Sequence, residues 1–377
     1  MTKGWHGMTN QLREMTINVG PQHPSTHGVL RLILKLDGEI IKSCEPVVGY
    51  LHRGIEKMAE SRSYLQYLPV VDRIDYLGGF FNSYAYCDCI ENMANIEIPE
   101  RAQYIRVLCM ELNRIASHLL WLGTYLLDLG ASSPLFYTFR DRERILHIFE
   151  KLTGQRMMYN YFTFGGVRED ISKEILDEIS TFVKDMPECI SDYENIITEN
   201  PIFVSRTANK GVLPKSKAIQ YGITGANLRA SGVNLDYRMT NPYLVYEKLD
   251  FEPSSELSGD AYSRYLARIF ELKSSLEIIT QCIYYLRVND NGEYLNKSVK
   301  PVNLNLVDTE YTSIVEAPRG LTLCTVKAGG KTPYRVKWRT ASYYAVQVLP
   351  ELVVGAELAD LMAIFGSLDV ILPEVDK

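Results

Sequence analysis

The feature that most constrains the fold is a long segment with the periodicity of a helix, which begins after Pro99. Proline suits the first turn of a helix, because the amide hydrogen that it lacks would have no partner there. Apolar side chains then recur every three or four residues as far as Asp128, at Ile105, Leu108, Leu112, Ile115, Leu119 and Leu120. The pattern predicts a helix in the core.

The same segment is too interrupted to cross a membrane. Its most apolar part, residues 115–129, contains Ser117, His118 and Asp128, whereas a span needs roughly 18 to 20 apolar residues. The start of the chain, residues 1–15, has neither the apolar stretch of a secretory signal nor the composition of a transit peptide, so we expect nothing to be cleaved. Any contact with a membrane is expected to go through a partner.

Composition narrows the class of protein. The chain has 377 residues, of which 46% are hydrophobic, so we expect a globular protein with two or three sub-domains or one large composite fold. A net charge of -6 and the absence of a dense basic run argue against binding to nucleic acid. The seven scattered cysteines favour free thiols in a reducing compartment.

Two histidines lie in a proline-rich loop at the start, in the segment GPQHPSTHG at residues 20–28. Pro21 and Pro24 prevent a helix there and stiffen the loop. Residues 29–36 alternate as a half-buried strand, Asp37-Gly38 is typical of a tight turn with positive φ at both central residues, and residues 39–48 return. The pattern predicts a β-hairpin behind the histidine loop.

The rest of the chain is predicted to be α+β, with a central helical bundle and C-terminal strands. We expect a helical zone over 55–95 that is broken near Leu68-Pro69, a helix over 133–153, and two helices over 169–200 divided at Pro187. A helix over 255–286 precedes strands at 314–315, 321–327 and 334–348 and a short helix over 356–365. Four regions follow: 1–54, a helical core over 55–200, an irregular insertion over 201–253, and 254–377.

Most of the polar candidates have an ordinary structural interpretation. His23 and His27 are four residues apart, but Pro24 excludes the helix that would pair them on zinc. Cys87 and Cys89 point to different sides of their predicted helix and are assigned to packing. By themselves, the charged residues of DRIDY at 72–76 favour a solvated face, and the helical histidines His118 and His147 are expected to bond to neighbours. Gly165-Gly166 does not complete a dinucleotide fingerprint.

A set of ordered motifs gives a more specific indication: GPQHPSTHG, GYLHRGIEK, DRIDY, LLDLGA, GQRM, NLRASG, EAPRG and LDVILPEVDK. Together they resemble the quinone-site subunit of respiratory complex I, known in bacteria as the D subunit, from about Thr16 to Lys377. That family is similar to the large subunit of nickel-iron hydrogenases, which binds its metal through a Cys-x-x-Cys near each end. The resemblance therefore implies a hydrogenase-like α+β fold.

The hydrogenase ligands themselves are missing from this sequence. The resemblance places the first cysteine pair near Asp75 and Gly78, and the second near Ile371 and Glu374. None of the four residues is a cysteine, and nickel in such a site prefers thiolate ligands. We therefore expect no metal and no resident cofactor in this chain.

The resemblance instead implies a quinone headgroup in the cavity. It assigns the hydrogen bonds to the headgroup to His27 and Tyr76, and it makes Asp128 the residue that orients His27. His23 would belong to the same loop, and Arg53 would lie near the terminal iron-sulfur cluster of a neighbouring subunit. Imidazole and phenol can both give up a proton and be reprotonated, as quinone reduction requires.

One position departs from the family pattern. Met158 stands where many members have a histidine beside the partner's cluster, and the plastoquinone-linked branch resembles the chain in this respect. A low-potential quinone is therefore more plausible than ubiquinone.

The implied protein is a subunit of a proton-translocating quinone oxidoreductase on the cytoplasmic face of a membrane, or on the equivalent face in an organelle. Its partners would be a B-like small subunit carrying a 4Fe-4S cluster, C-like and ferredoxin-like (I-like) subunits, and an H-like membrane subunit. The electrons could come from NADH, ferredoxin or a deazaflavin. The alternative from another class is a non-catalytic, hydrogenase-like scaffold.

Overall fold

The structure is a computed structural model that describes residues 14–21, 28–254 and 258–377, and within them it contains helices and three small antiparallel sheets. The strands in these ranges are β1 (Met15–Val19), β2 (Arg31–Asp37), β3 (Ile40–Val47), β4 (Phe162–Thr163), β5 (Gly166–Val167), β6 (Glu310–Ala317), β7 (Gly320–Ala328) and β8 (Pro333–Arg339). The three sheets have the orders β1-β2-β3, β4-β5 and β6-β7-β8.

The helices of the first half are α1 (Ile55–Ala59), α2 (Tyr64–Val71), α3 (Gly79–Met93), α4 (Glu100–Asp128), α5 (Ser133–Thr153) and α6 (Lys173–Tyr193). Those of the second half are α7 (Pro201–Thr207), α8 (Lys215–Gln220), α9 (Ala226–Arg229), α10 (Tyr237–Thr240), α11 (Ala261–Val288), α12 (Ala341–Val353), α13 (Leu361–Ser367) and α14 (Leu372–Val375). None of the helices in the described ranges is long and apolar enough to cross a membrane.

Helix α4 lies at the centre of the largest hydrophobic cluster, which confirms the prediction of a core helix. It packs against α5 on one side and α11 on the other. Leu112, Ile115 and Leu119 are completely buried, and so are the charged side chains of Arg106 and Arg114. The helix is therefore surrounded by protein over most of its circumference, so its polar residues must find partners inside the protein.

The predicted hairpin is present, with one difference at its turn. Strands β2 and β3 pair antiparallel from Arg31 opposite Val47 to Asp37 opposite Ile40. The two-residue turn is therefore Gly38-Glu39 rather than Asp37-Gly38, and only Gly38 has a positive φ, of 64°. The register, which includes a bulge after Lys35, decides which residues occupy the turn. Strand β1, which the sequence pattern did not predict, pairs with β2.

Two prolines do not interrupt helices where the sequence predicted. Pro69 lies within α2, which continues to Val71, and the break falls at residues 72–78 instead. Pro187 lies on the exposed side of α6, which is continuous to Tyr193. Because the missing hydrogen bond at Pro187 faces solvent while its apolar neighbours stay buried, the helix tolerates this proline.

The C-terminal region differs from the prediction over residues 334–348. Strand β8 ends at Arg339, and α12 begins at Ala341. Val348, Leu349 and Leu352 are buried at helical spacing, because this helix packs on the hairpin sheet. The predicted C-terminal helix is a short 3-10 turn followed by α13. In residues 201–253, four helices of four to seven residues alternate with loops.

Candidate functional site

The segment 72–78, between α2 and α3, is held by buried side-chain contacts. Asp72 is 1% exposed; it accepts hydrogen bonds from the Ser83 hydroxyl and, at 2.9 Å, from the backbone N–H of Asn160. Asp75 is 4% exposed and accepts from the backbone N–H of Leu77 at 3.0 Å. The interpretation of these two carboxylates as a solvated face is therefore wrong. The three-residue spacing of Asp72 and Asp75 in the sequence gives no indication that both side chains are buried.

A buried arginine from the β6–β7 turn completes the contacts of Asp75. Nη1 of Arg319 donates to Oδ2 of Asp75 at 2.6 Å, and Nη2 donates to the Ser117 hydroxyl oxygen at 3.0 Å. Burial raises the pKa of Asp75, although Arg319 opposes this effect. The motif EAPRG contains Arg319, but nothing in the sequence gives this residue a role. Its importance becomes visible only because the turn reaches across to α4.

Tyr76 is half-buried beside this ion pair. Burial raises the pKa of its phenol above the ordinary value of 10.0, and the nearby charge of Arg319 opposes that rise. The hydroxyl therefore keeps its proton at neutral pH and can act as a hydrogen-bond donor. The structure thus places Tyr76 next to a carboxylate and a guanidinium that respond to its charge.

The C-terminal tail reaches the same place. Asp369 lies with Oδ1 3.6 Å from Nε of Arg319, and Glu374 accepts a hydrogen bond from the Ser342 hydroxyl at 2.8 Å. Burial raises the pKa of Glu374 to about 7, and the charge of Asp75 adds to that rise. A Cβ at Gly78 would lie 2.6 Å from Oδ2 of Asp75. Asp75 and Gly78, near which the first hydrogenase cysteine pair would fall, therefore lie close to Glu374, near which the second pair would fall.

The loop before α1 is attached to the same tail. The backbone amides of Gly49 and Leu51 donate to the Asp376 carboxylate at 2.7 and 2.8 Å. Arg53, the residue predicted to lie near a partner's cluster, is exposed, and its Nη2 donates to the carbonyl of Arg73 at 2.6 Å. The motifs GYLHRG and DRIDY are therefore in direct contact.

Met158 lies in a loop that packs against the other side of DRIDY. It is half-buried with a φ of 58°, and two residues later Asn160 makes its hydrogen bond to Asp72. Between them, Tyr159 stacks on Phe80 with ring centroids 4.1 Å apart. Arg53 therefore contacts Arg73 directly, and the residues that follow Met158 contact Asp72 and Phe80.

The remaining predicted residues are only partly placed. Asp128 is the last residue of α4 and is half-buried. His23 and His27 lie outside the described residues. The ends of their loop are placed: a Cβ at Gly20 would meet the Leu30 carbonyl oxygen at 2.0 Å, and one at Gly28 would meet Leu372 at 3.3 Å. The loop therefore ends against the C-terminal tail.

The other histidines and the cysteines have distinct environments. His118 is buried with Nε2 2.8 Å from Oε2 of Glu271, as expected of a helical histidine bonded to a neighbour, whereas Nδ1 has no hydrogen-bond partner in the described residues. His147 is 53% exposed, 4.0 Å from Glu178. Cys87 and Cys89 are buried in the core. In the ranges that the structure describes, no group of three His, Cys, Asp or Glu residues could hold a metal.

Comparison with known proteins gives a consistent picture. The family model described as "Respiratory-chain NADH dehydrogenase, 49 Kd subunit" matches residues 128–377. A protein of Geobacillus thermodenitrificans, named as the D subunit of NADH-quinone oxidoreductase, is 47% identical over 364 residues, which cover 96% of this chain and 98% of the relative. A protein of the same name from Geobacillus kaustophilus is 46% identical over 98% of this chain and 100% of its own length. Another, from Bacillus cereus, is 45% identical over 96% of this chain and 98% of its own length.

Proposed function

Because the chain belongs to the family of the 49 kDa subunit of respiratory-chain NADH dehydrogenase, the D subunit of the bacterial complex, we propose that it forms the quinone-reduction site of such a complex. The observation that carries the proposal is the position of Tyr76. A half-buried phenol lies beside a buried set of Asp75, Arg319 and Glu374, where three separate parts of the chain meet.

The reaction needs two electrons and two protons for each quinone. The electrons come from a 4Fe-4S cluster on a neighbouring subunit, and this chain supplies the proton donors. Tyr76 gives the proton of its hydroxyl to one quinone oxygen, and His27 gives a proton to the other. Burial raises the pKa of Tyr76, and Arg319, whose charge opposes that rise, stabilises the resulting phenolate. Asp128 orients His27.

Burial of the surrounding carboxyl groups suits this chemistry. Asp75 and Glu374 both have raised pKa values because they are buried, so one of them can hold a proton near neutral pH. A carboxyl that exchanges a proton near neutral pH can reprotonate a phenolate between turnovers. The set would therefore serve as the local proton supply for Tyr76.

The same geometry supports a fold like that of the hydrogenase large subunit. The approach of Asp75 and Glu374 agrees with the expected meeting of the two cysteine-equivalent pairs. With Asp75, Gly78, Ile371 and Glu374 at those positions, the site offers no thiolate to nickel. The cavity is proposed to take a quinone in its place, and no cofactor is bound by this chain.

The proposed setting is a membrane complex in which this chain is a peripheral subunit on the cytoplasmic side. Its neighbours would be the B-like iron-sulfur subunit near Arg53 and Met158, the C-like and I-like subunits, and an H-like membrane protein. Quinone reduction here would be coupled to proton translocation by the membrane partners. The names of the relatives favour NADH as the electron source over ferredoxin or a deazaflavin.

The test is Tyr76→Phe in the purified complex, with reduction of a soluble quinone as the measurement. Loss of a positioned proton donor should lower turnover on the order of 100-fold, while subunit content and electron transfer to ferricyanide stay normal. The matched control is Tyr284→Phe, because Tyr284 is 73% exposed. His27→Ala should behave like Tyr76→Phe. Normal turnover in both site variants would leave the non-catalytic scaffold as the better description.

A further inference from the structure

His118 is a buried titratable residue to which the proposed reaction gives no role. It is 1% exposed on α4, and its Nε2 faces Glu271 of α11 at 2.8 Å. Burial lowers the pKa of His118 below its ordinary value of 6.5, although Glu271 opposes that shift. Burial also disfavours the charge of Glu271, but Arg229 outweighs it and holds the pKa of that carboxyl well below its ordinary value. His118 is therefore neutral at pH 7, with its proton on Nε2 and a bare lone pair on Nδ1.

Arg268 and Asp369 act on the charge of His118, and Arg319 contacts Asp369 and the adjacent Ser117. These residues form an under-bonded group, which we call the Asp369 cluster: His118, Arg268, Arg319 and Asp369. The carboxylate of Asp369 lies between two guanidinium groups, with Oδ1 3.6 Å from Nε of Arg319 and Oδ2 3.9 Å from Nε of Arg268. Four buried atoms of the cluster have no hydrogen-bond partner within the described residues: Oδ2 of Asp369, Nε of Arg268, Nε of Arg319 and Nδ1 of His118. A buried polar atom without a hydrogen-bond partner costs free energy. Because the cluster contains several such atoms, a new charge within it can rearrange its contacts.

The Asp369 cluster is directly connected to the proposed quinone chamber. Arg319 donates to Asp75, the neighbour of Tyr76, at 2.6 Å, and also to the hydroxyl of Ser117, the neighbour of His118, at 3.0 Å. A displacement of Asp369 from Arg319 would leave Asp75 as the principal counter-charge of that guanidinium. The charge that the Tyr76 phenol experiences would change with it.

We propose that His118 is a positioning residue for the quinone chamber, which leaves Asp369 with Arg319 while it is neutral and draws Asp369 away once it is protonated at Nδ1. An imidazolium supplies a charged N–H donor, and a charge-assisted hydrogen bond is stronger than an ion contact at 3.6 Å without one. The inference rests on the proposed function. The charged groups that act on His118 from the packed elements are Glu271 and Arg268 of α11 and Asp369 of the tail. Arg319 of the β6–β7 turn acts in turn on Arg268, and Arg114 of α4 acts on Glu271.

The experiment measures quinone reduction by the purified complex from about pH 5 to about pH 8.5, divided by ferricyanide reduction at each pH. The native complex should lose rate on the acid side of an apparent pKa below 6.5. His118→Gln can still donate to Glu271 but cannot take up a proton. It should keep the rate near pH 8 within about twofold and lose the acid decline. The matched control is His147→Gln, which should keep the native profile.

The outcomes separate this inference from the proposed function. An acid decline that is unchanged in His118→Gln, or absent from the native complex, overturns the inference; Tyr76→Phe tests the function independently. If His118→Gln does not assemble, Glu271→Gln replaces it. Glu271 raises the pKa of His118, so its neutralisation should move the acid decline to lower pH. An unmoved decline also overturns the inference. Failure of both variants to assemble, with His147→Gln normal, would assign the pair to folding and overturn it too.

Discussion

Among the buried charged residues that the structure describes, two groups differ in how completely their carboxylates are bonded. In the first, which we call the Glu111 cluster, Glu111 accepts hydrogen bonds from Arg114, Arg238, Tyr246 and Ser275. In the Asp369 cluster, neither arginine Nε comes within hydrogen-bonding distance of Asp369.

The pKa values of the carboxyl groups also differ between the two regions. Burial disfavours the charge of Glu111, but the arginines outweigh burial and hold its pKa at about 2. Asp75 and Glu374, which lie beside the Asp369 cluster, have raised pKa values because burial prevails there. The comparison shows that burial alone does not decide the role of a charged residue. The Glu111 cluster can only brace the fold, whereas Glu374, beside the Asp369 cluster, can exchange a proton near neutral pH.

The largest expected effect on stability is in the Glu111 cluster. Glu111→Gln removes the negative charge from between Arg114 and Arg238, which then remain buried with too little counter-charge. We expect a loss of about 3–5 kcal/mol in the free energy of unfolding, seen as reduced subunit content and lower heat stability of the complex.

The control is Glu143→Gln, which breaks an exposed ion pair between Glu143 and Arg156, 56% and 45% exposed respectively. This substitution should lower the free energy of unfolding by less than about 1 kcal/mol. Equal heat stability in the two variants would contradict the assignment of Glu111 to the frame of the protein.

Neutralisation of Glu374 is expected to have a smaller effect on stability, and to raise it rather than lower it. Its folded pKa of about 7 exceeds the unfolded value of 4.5, so its stabilising contribution is complete below pH 4.5 and is lost as the pH rises through 7. Glu374→Gln stays neutral and should be more heat-stable than the native protein at pH 8, by about 2–3 kcal/mol, with less gain near pH 5.5.

Thermal inactivation of the complex at the two pH values measures this. Glu351→Gln is the control, because Lys217 lowers the pKa of that exposed carboxyl and its removal should give no gain at pH 8. A gain at Glu374 that does not depend on pH would show that the charge is not responsible.

The smallest effect is expected at Met158, on the surface side of the same region. An imidazolium there would stabilise the reduced cluster of the partner, whereas a thioether carries no charge. Met158→His should raise the cluster potential by on the order of 60 mV, which corresponds to about 1.4 kcal/mol for one electron, and should make it depend on pH.

Redox titration by electron paramagnetic resonance at several pH values checks this. The native cluster should titrate with the same potential at each pH, and a native potential that falls by about 60 mV per pH unit would show that another group carries the proton. Asp72, whose pKa is raised to about 6 by burial, is the candidate that the structure offers.

Part of the site could be predicted from the sequence because it consists of short motifs. Tyr76, Arg53 and Met158 are all recognisable from their motifs. In the structure Arg53 donates to the carbonyl of Arg73, and Asn160, two residues after Met158, donates to Asp72. Arg319, Ser117 and Asp369 have no role that the sequence predicts, because their importance comes from contacts between residues that are 50 to 244 positions apart. The roles of His23, His27 and Asp128 stay predictions.

The local elements with strong periodicity, such as α4, α5 and the strands of the β2–β3 hairpin, could be predicted from the amino-acid sequence alone. Their hydrophobic spacing is a property of neighbouring residues, so it can be recognised without knowing the fold. Long-range packing, in contrast, makes residues 341–353 a helix, keeps Pro187 inside α6 and turns Asp72 and Asp75 inward. In each case, packing against a distant segment outweighs local preference, because burial and pairing of side chains are worth more than propensity differences between single residues.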